Sequence, residues 1–370
     1  MTGRERFLCA INKEMPDRLP AQVHGWMKYY LDTYLNGIDQ YDAYEYFQAD
    51  LSIYSGPIFT YDKMDYGNWQ RTTTDNRSDG SENHISATTT VTPEGVLSES
   101  FGSNQFTTWN TEHIIKNERD FEIWRKYVPL PIRVDWTPVK KALARVGNRG
   151  IVRSGLFAFG QYSPWQSFCT LFGTEKAIMA CYDSPDWVHY TLKSILDKCL
   201  LVLERGGRIP GDLVETGGGA GSSTVISPAM FREFCLPYDR ALHDMIHSLG
   251  AKVVYHLCGG LMPLLDLVVE NGADGLETMT PPSMGGDCDL AEAYRRVAGK
   301  LFLIGGFDQN AGFEKGRPET VRKMVYTLHE SCSRGGYIVS PSDHFFFGNP
   351  ENIRSFFDAA KECRYRAGKT

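Results

Sequence analysis

After residue 210 the chain repeats one pattern five times: a short apolar run, a glycine-rich or polar turn, then an amphipathic segment of helix length. "GDLVET" leads through "GGGAGSSTVIS" into "PAMFREFCLPYDRALHDMIHSLG", and "AKVVYHLCGG" leads into "LMPLLDLVVENG". "ADGLETM", "KLFLIGGFD" and "YIVSPSDHFFFG" are followed by helical segments in the same way. Each segment closes at or near a glycine, which accepts the left-handed C-cap without a Cβ penalty. Strands alternating with helices of this length predict parallel strands joined by right-handed crossovers. Three earlier strand candidates, "RLPAQVH" (18–24), "ADLSIYS" (49–55) and "GIVRSG" (150–155), bring the number to eight. The expected fold is therefore α/β, a (β/α)8 TIM barrel with an N-terminal helical segment.

The stretch from about 61 to 117 breaks the pattern, being rich in Thr, Ser, Asn and Gly with short alternating runs. It reads as a β-hairpin or meander inserted after the second strand. No linker or internal repeat appears, so residues 1–370 are expected to form a single elaborated domain.

Residues at the C-terminal ends of barrel strands face the active-site mouth. On this reading the mouth holds His24, Glu215, His256 with Cys258, Glu277, Asp308, and Asp343 with His344. Imidazole, thiolate and carboxylate converging from separate strands are the donor types of a zinc site. In an extended segment, i and i+2 share a face, so His256 and Cys258 can address one ion, and Gly259-Gly260 lets the backbone bend away. The competing reading is a strand-end histidine beside an inert buried cysteine, with the carboxylates serving as helix caps. Asp308, in "GGFDQN", is expected to organise a turn. "ETGGGAGSS" (215–223) lacks a P-loop lysine and reads as a flexible active-site loop. His243 and His247, four apart on a helix without the H-E-x-x-H glutamate, are expected to be structural. The aromatic stretch 24–47 suits core packing better than a pocket for a flat substrate.

Composition narrows the class. A formal charge of −6 favours neither nucleic acid nor an anionic membrane surface. The opening "MTGRERFLCAINKEMPDRLP" has no signal-peptide core, and no window approaches the roughly 20 apolar residues of a membrane span. Nine scattered cysteines read as reduced, mostly buried groups in a cytoplasmic protein.

With these pieces placed, the chain resembles the uroporphyrinogen decarboxylase superfamily over nearly its whole length. The resemblance rests on "RERFLCAINKEMPDRLP", on "ISPAMFREFCLPYDRALHDMIHSLGAKVVYHLCGG", on "GADGLETMTPP" and "LFLIGGFD", and on "GGYIVSPSDHFFFGNPENI". That superfamily holds two chemistries. Its decarboxylases carry an arginine-rich segment after the first strand, whereas "QVHGWMKYY" here has no arginine to clamp a polyanionic substrate. Its zinc-dependent corrinoid methyltransferases use an H-x-C motif, which His256-x-Cys258 matches, with a third ligand in the C-terminal block. There the thiol-activating members resemble "SPGCG" and this chain has "SPSDH", which puts Asp343 at the cysteine position and His344 next to it.

The strand ends and the resemblance together imply Zn2+ held by His256, Cys258 and one or more of Glu277, Asp343, His344 and Glu215, with Glu277 and His344 the preferred ligands and His24, Glu215 and Asp343 in catalytic roles. It implies cobalamin on a partner corrinoid protein, a small methyl donor or acceptor, and leaves a homodimer open. Replacing a thiolate by harder ligands favours polarising an oxygen, so the expected reaction is O-demethylation of a methyl ether such as a methoxylated aromatic. His24 or a nearby tyrosine is the expected proton donor. Methyl transfer to a thiol such as coenzyme M or homocysteine, metal-free decarboxylation, and a non-catalytic corrinoid-binding role are the alternatives.

Overall fold

Seven strands in chain order form one parallel sheet: β1 (Leu51–Ser55), β2 (Gly150–Ser154), β3 (Leu213–Gly217), β4 (Lys252–His256), β5 (Gly275–Thr278), β6 (Phe302–Phe307) and β7 (Tyr337–Pro341). Every neighbouring pair is parallel, so the curled sheet has the strand succession of a TIM barrel. The chain is described here from a computed structural model covering residues 1–76, 83–156 and 162–365.

The first expected strand, 18–24, is not a regular one. Ala21 makes a single parallel bridge to Val339 of β7, through Val339 N–H donating to Pro20 O and Gln22 N–H donating to Val339 O, both at 3.0 Å. On its other side the Ser52 hydroxyl of β1 donates to Gln22 Oε1 at 2.8 Å. Pro20 has no N–H to give a ladder, which accounts for a segment that touches both edge strands without pairing along either.

The helix Gly3–Ile11 is capped by a reciprocal Thr2–Glu5 box. Its Phe7, Ala10 and Ile11 pack into one buried cluster with Ile151, Leu213, Val254, Phe302, Ile304 and Ile338 from the strands. Side chains two apart on a strand share a face. The next inward position after Ile151 is Arg153, after Leu213 it is Glu215, and after Val254 it is His256. The sheet interior therefore changes from apolar to charged within one step along three successive strands.

Two compact units divide the chain: Met1–Pro57, Trp136–Leu156 and Arg208–Thr370 form the first, which contains this sheet, and Ile58–Asp135 with Phe157–Gly207 form the second. The second unit holds a four-stranded antiparallel meander, Gln70–Asn76, His84–Thr92, Gly95–Ser103 and Thr108–Glu112, in the stretch read as an insertion, of which 77–82 lie outside the described residues. Cross-strand threonines such as Thr73 and Thr88, hydroxyl to hydroxyl at 2.9 Å, suit its pleated surface. That unit also holds the helices Lys63–Gly67, Glu118–Tyr127, Pro164–Phe172, Thr174–Asp183 and Pro185–Gly206 and an antiparallel pair, Ile58–Thr60 with Arg133–Asp135.

The aromatic stretch builds core. Trp26 stacks on Phe47 at 5.6 Å and meets Tyr44 and Phe345 edge-on, while Tyr30, Tyr44 and Phe47 are buried. None of the nine cysteines is in a disulfide, and only Cys258 is partly exposed. Among the described residues no helix is long and apolar enough to cross a membrane.

Candidate metal centre

The charged layer sits at the C-terminal ends of β2 to β5. Glu277 on β5 is fully buried and lies opposite His256 of β4 in the strand register. His256 Nδ1 is 3.2 Å from Glu277 Oε1 and 3.7 Å from Glu215 Oε1. His24, delivered by the extended segment beside β7, puts Nδ1 at 4.0 Å from Glu277 Oε2. Each carboxylate turns its other oxygen, or the same one, to Arg153: the guanidinium Nη2 donates to Glu277 Oε2 at 2.7 Å and to Glu215 Oε2 at 3.1 Å. The Tyr54 hydroxyl of β1 donates to Glu215 Oε2 at 3.0 Å, and its ring faces the guanidinium carbon at 4.6 Å.

Electrostatics follow from these contacts. Burial alone would raise the Glu277 carboxyl, but the Arg153 guanidinium and the His256 ring outweigh it and bring it down to about 2. Burial would likewise lower His256, yet the Cys258 thiol, Glu277 and Glu215 together hold the ring well above its ordinary range. His24 has the opposite fate: burial pushes it well below its ordinary range, leaving the neutral imidazole that binds metals.

The donor geometry fits a dication. His24, Glu215, His256 and Glu277 offer one ligand atom each, all within 4.8 Å of one another. A tetrahedral zinc with bonds of about 2.0–2.1 Å sets its ligand atoms about 3.3 Å apart. The separations of 3.2 and 3.7 Å from His256 Nδ1 to the Oε1 atoms of Glu277 and Glu215 bracket that value, and His24 Nδ1 lies 4.0 Å from the other Glu277 oxygen. A second group, His24, Asp343 and His344, meets the same 4.8 Å limit and shares His24 with the first. The His24 and His344 rings lie 4.7 Å apart, with His344 on the exposed side.

The other expected site residues are placed as follows. Among the described residues Cys258 joins neither group; its thiol packs on Gly219, where an added Cβ would sit 2.8 Å from Sγ. The strand ends at His256, and Gly259 takes φ +109°, so the shared-face argument for His256 and Cys258 loses its extended backbone. Asp308 organises its turn, accepting from Ala311 N–H at 2.8 Å and from the Ser283 hydroxyl at 2.6 Å. The glycine-rich loop expected to be flexible is pinned to the loop after β4: Gly218 N–H donates to His256 O, and Ser223 N–H to Gly260 O. His243 is buried and doubly bonded, and His247 pairs with Asp274 at 2.8 Å, so both are structural groups.

Two features escaped the sequence reading. Arg153 was passed over as part of a strand, although alternation from Ile151 puts it on the inward face. The second is backbone strain directly after Glu277, where Thr278 and Met279 take φ +83° and +45°. Left-handed non-glycine residues cost roughly 1–3 kcal/mol each and gather at functional sites. The Thr278 hydroxyl, donating to Leu257 O at 2.9 Å, ties this strained end to the segment that carries His256 and Cys258. Nothing in composition or periodicity signals such a turn.

Known proteins resemble the chain to differing depth. The family model "Uroporphyrinogen decarboxylase (URO-D)" matches residues 111–363, more than half of the chain. A uroporphyrinogen decarboxylase of Neisseria meningitidis is 29% identical over 209 residues, 53% of this chain and 54% of that protein. One from Xanthomonas oryzae pv. oryzae is 25% identical over 270 residues, 67% of this chain and 68% of its own. The chain spans about half or less of the length of the first curated relatives it matches. Among solved structures, a methyltransferase from Methanosarcina mazei superposes with a TM-score of 0.67 at 14% identity, covering 98% of this chain and 99% of that one, a likeness of fold. On the family match, and on the parallel sheet whose strand ends gather these residues, the chain belongs to the uroporphyrinogen decarboxylase (URO-D) family.

Proposed function

We propose that the chain is a zinc-dependent methyltransferase that moves a methyl group between an O-methyl compound, such as a methoxylated aromatic, and cobalamin carried by a corrinoid protein. The observation that carries this reading is the donor set: two imidazoles and two carboxylates face one another, while the one partly exposed thiol lies beside them. His24, Glu215, His256 and Glu277 are the residues that would hold the ion. Bound there, zinc would supply Lewis acidity toward a substrate oxygen.

Charge counting supports the same choice. A dication and Arg153 contribute three formal positive charges against two from Glu215 and Glu277, which leaves one positive charge for an anionic oxygen to neutralise. Arg153 holds both carboxylates in place and Tyr54 restrains Glu215, so the site's own groups need little rearrangement as charge develops. Asp343 and His344, on the accessible side, are suited to exchange a proton with the departing oxygen. The fold shared with the Methanosarcina mazei methyltransferase agrees with this reading.

A decarboxylase reading draws on the relatives' names and on Arg153, an arginine in the mouth after all. That guanidinium is engaged by two carboxylates of the protein itself, which weakens its claim as a substrate clamp. The thiol-methyltransferase reading needs softer donors, and among the described residues neither Cys288 nor Cys332 joins the group. The deciding experiment incubates zinc-loaded protein with cob(I)alamin and a panel of methoxylated aromatics, with methylcobalamin and thiols, and with uroporphyrinogen by itself. Methylcobalamin formed from a methyl ether supports the proposal; turnover of thiol or uroporphyrinogen alone overturns it.

A further inference from the structure

The helix Leu236–Ser248 presents two fully buried polar groups to the sheet, Asp239 and, one turn on, His243. The Tyr255 hydroxyl donates to Asp239 Oδ2 at 2.6 Å, and Thr216 Oγ1 meets His243 Nε2 at 2.9 Å. His243 Nδ1 lies 2.8 Å from the Asn271 carbonyl, which can only accept. Nδ1 therefore carries the proton, and the Thr216 hydroxyl donates to Nε2.

Thr216 and Tyr255 are direct partners across β3 and β4, and each is the outward neighbour of a mouth residue, Glu215 and His256 respectively. A π turn at Phe231–Cys235 precedes the helix. Its one extra residue rotates the turns that follow by about 100° relative to an unbroken helix. We propose that Asp239 and His243 are positioning residues: gripping Thr216 and Tyr255 from behind the sheet, they fix the spacing of Glu215 and His256, and with it the affinity of the mouth for a divalent metal. The inference rests on the metal reading above and concerns residues that touch neither metal nor substrate.

Three variants test it, with zinc alone as the probe and affinity read by competition with a chromophoric chelator. Thr216→Val and Tyr255→Phe each delete one hydroxyl; both are expected to keep the wild-type circular dichroism and to bind zinc about tenfold more weakly, the scale on which outer-sphere partners of metal ligands act. Thr216→Val combined with His243→Leu removes both members of one pair. Its melting temperature is expected to return part of the way toward wild type, because neither the hydroxyl nor the imidazole is left unpaired although the Asn271 carbonyl loses its donor, while the weakened affinity persists. Zinc affinity within twofold of wild type in both single variants overturns the inference, as does affinity that recovers in step with the melting temperature. A wild-type protein that binds no zinc overturns the metal reading and this inference with it, and is told apart by the wild-type measurement alone.

Discussion

The two ends of the parallel strands handle charge in opposite ways. At the N-terminal ends, Asp50, Asp212 and Asp274 each stand one residue before a strand, and each is matched. Arg4 forks onto Asp212, which also accepts from Val152 N–H at 2.9 Å; Arg6 and Arg18 share Asp50; His247 and Val253 N–H meet Asp274. At the C-terminal ends, among the described residues, three carboxylates and three imidazoles gather in two overlapping groups, and Arg153 pairs with two of those carboxylates. Among the described residues, Arg153 Nε and Nη1 have no hydrogen-bond partner at all. The matched end has the composition of a stabilising device. The mismatched end holds buried charge that pairing does not complete, which is the mark of a site.

The largest effect should come from Arg153→Met. Removing the cation leaves Glu277 buried with only His256 as counter-charge, a loss of about 3–5 kcal/mol in urea unfolding of the metal-free protein. Added zinc should recover much of that loss; a variant that zinc leaves equally unstable would break the contrast between the ends. Asp212→Asn, at the other end, should cost about 1–3 kcal/mol by weakening the Arg4 fork and the bond from Val152. Its zinc affinity should equal that of the wild type, and a large fall would mean that the two ends are not independent.

A smaller effect concerns acid. Asp17, paired with Arg6 and the N-terminus, is lowered from 3.8 to about 2, the two cations outweighing its partial burial. Its folded-state pKa is depressed, so its stabilisation is complete above about pH 4 and is lost as pH falls toward 2. Asp17→Asn should flatten that part of the stability curve by about 1 kcal/mol after solvent screening. Cys258→Ser should weaken zinc affinity only a few-fold, since the thiol lies beside His256 and is not itself among the four ligand residues. A loss beyond a hundredfold would put the thiolate among the ligands and favour a thiol substrate.

Much of the barrel was legible because glycine-closed β-then-α units carry a strong periodic signal. Segment 18–24 was misjudged as a regular strand because its apolar alternation outweighed the missing N–H of Pro20. His24, Glu215, His256, Glu277, Asp343 and His344 were found from their places at strand ends, and the structure brings them together in two overlapping groups. Arg153 was missed because a charge within a strand was not traced to its inward face. Strain at Thr278 and Met279 arises from tertiary contacts, which local sequence does not encode. The position of Cys258 depended on where β4 ends, a boundary that periodicity fixes poorly.

The central claim, that the mismatched mouth is a metal centre, is tested most directly by metal analysis of the purified wild type beside His256→Ala and Glu277→Gln after equilibration with zinc. The account predicts one zinc per chain in the wild type and its loss in both variants, with their circular dichroism unchanged. A wild type without zinc, or variants that both retain it, would contradict the account.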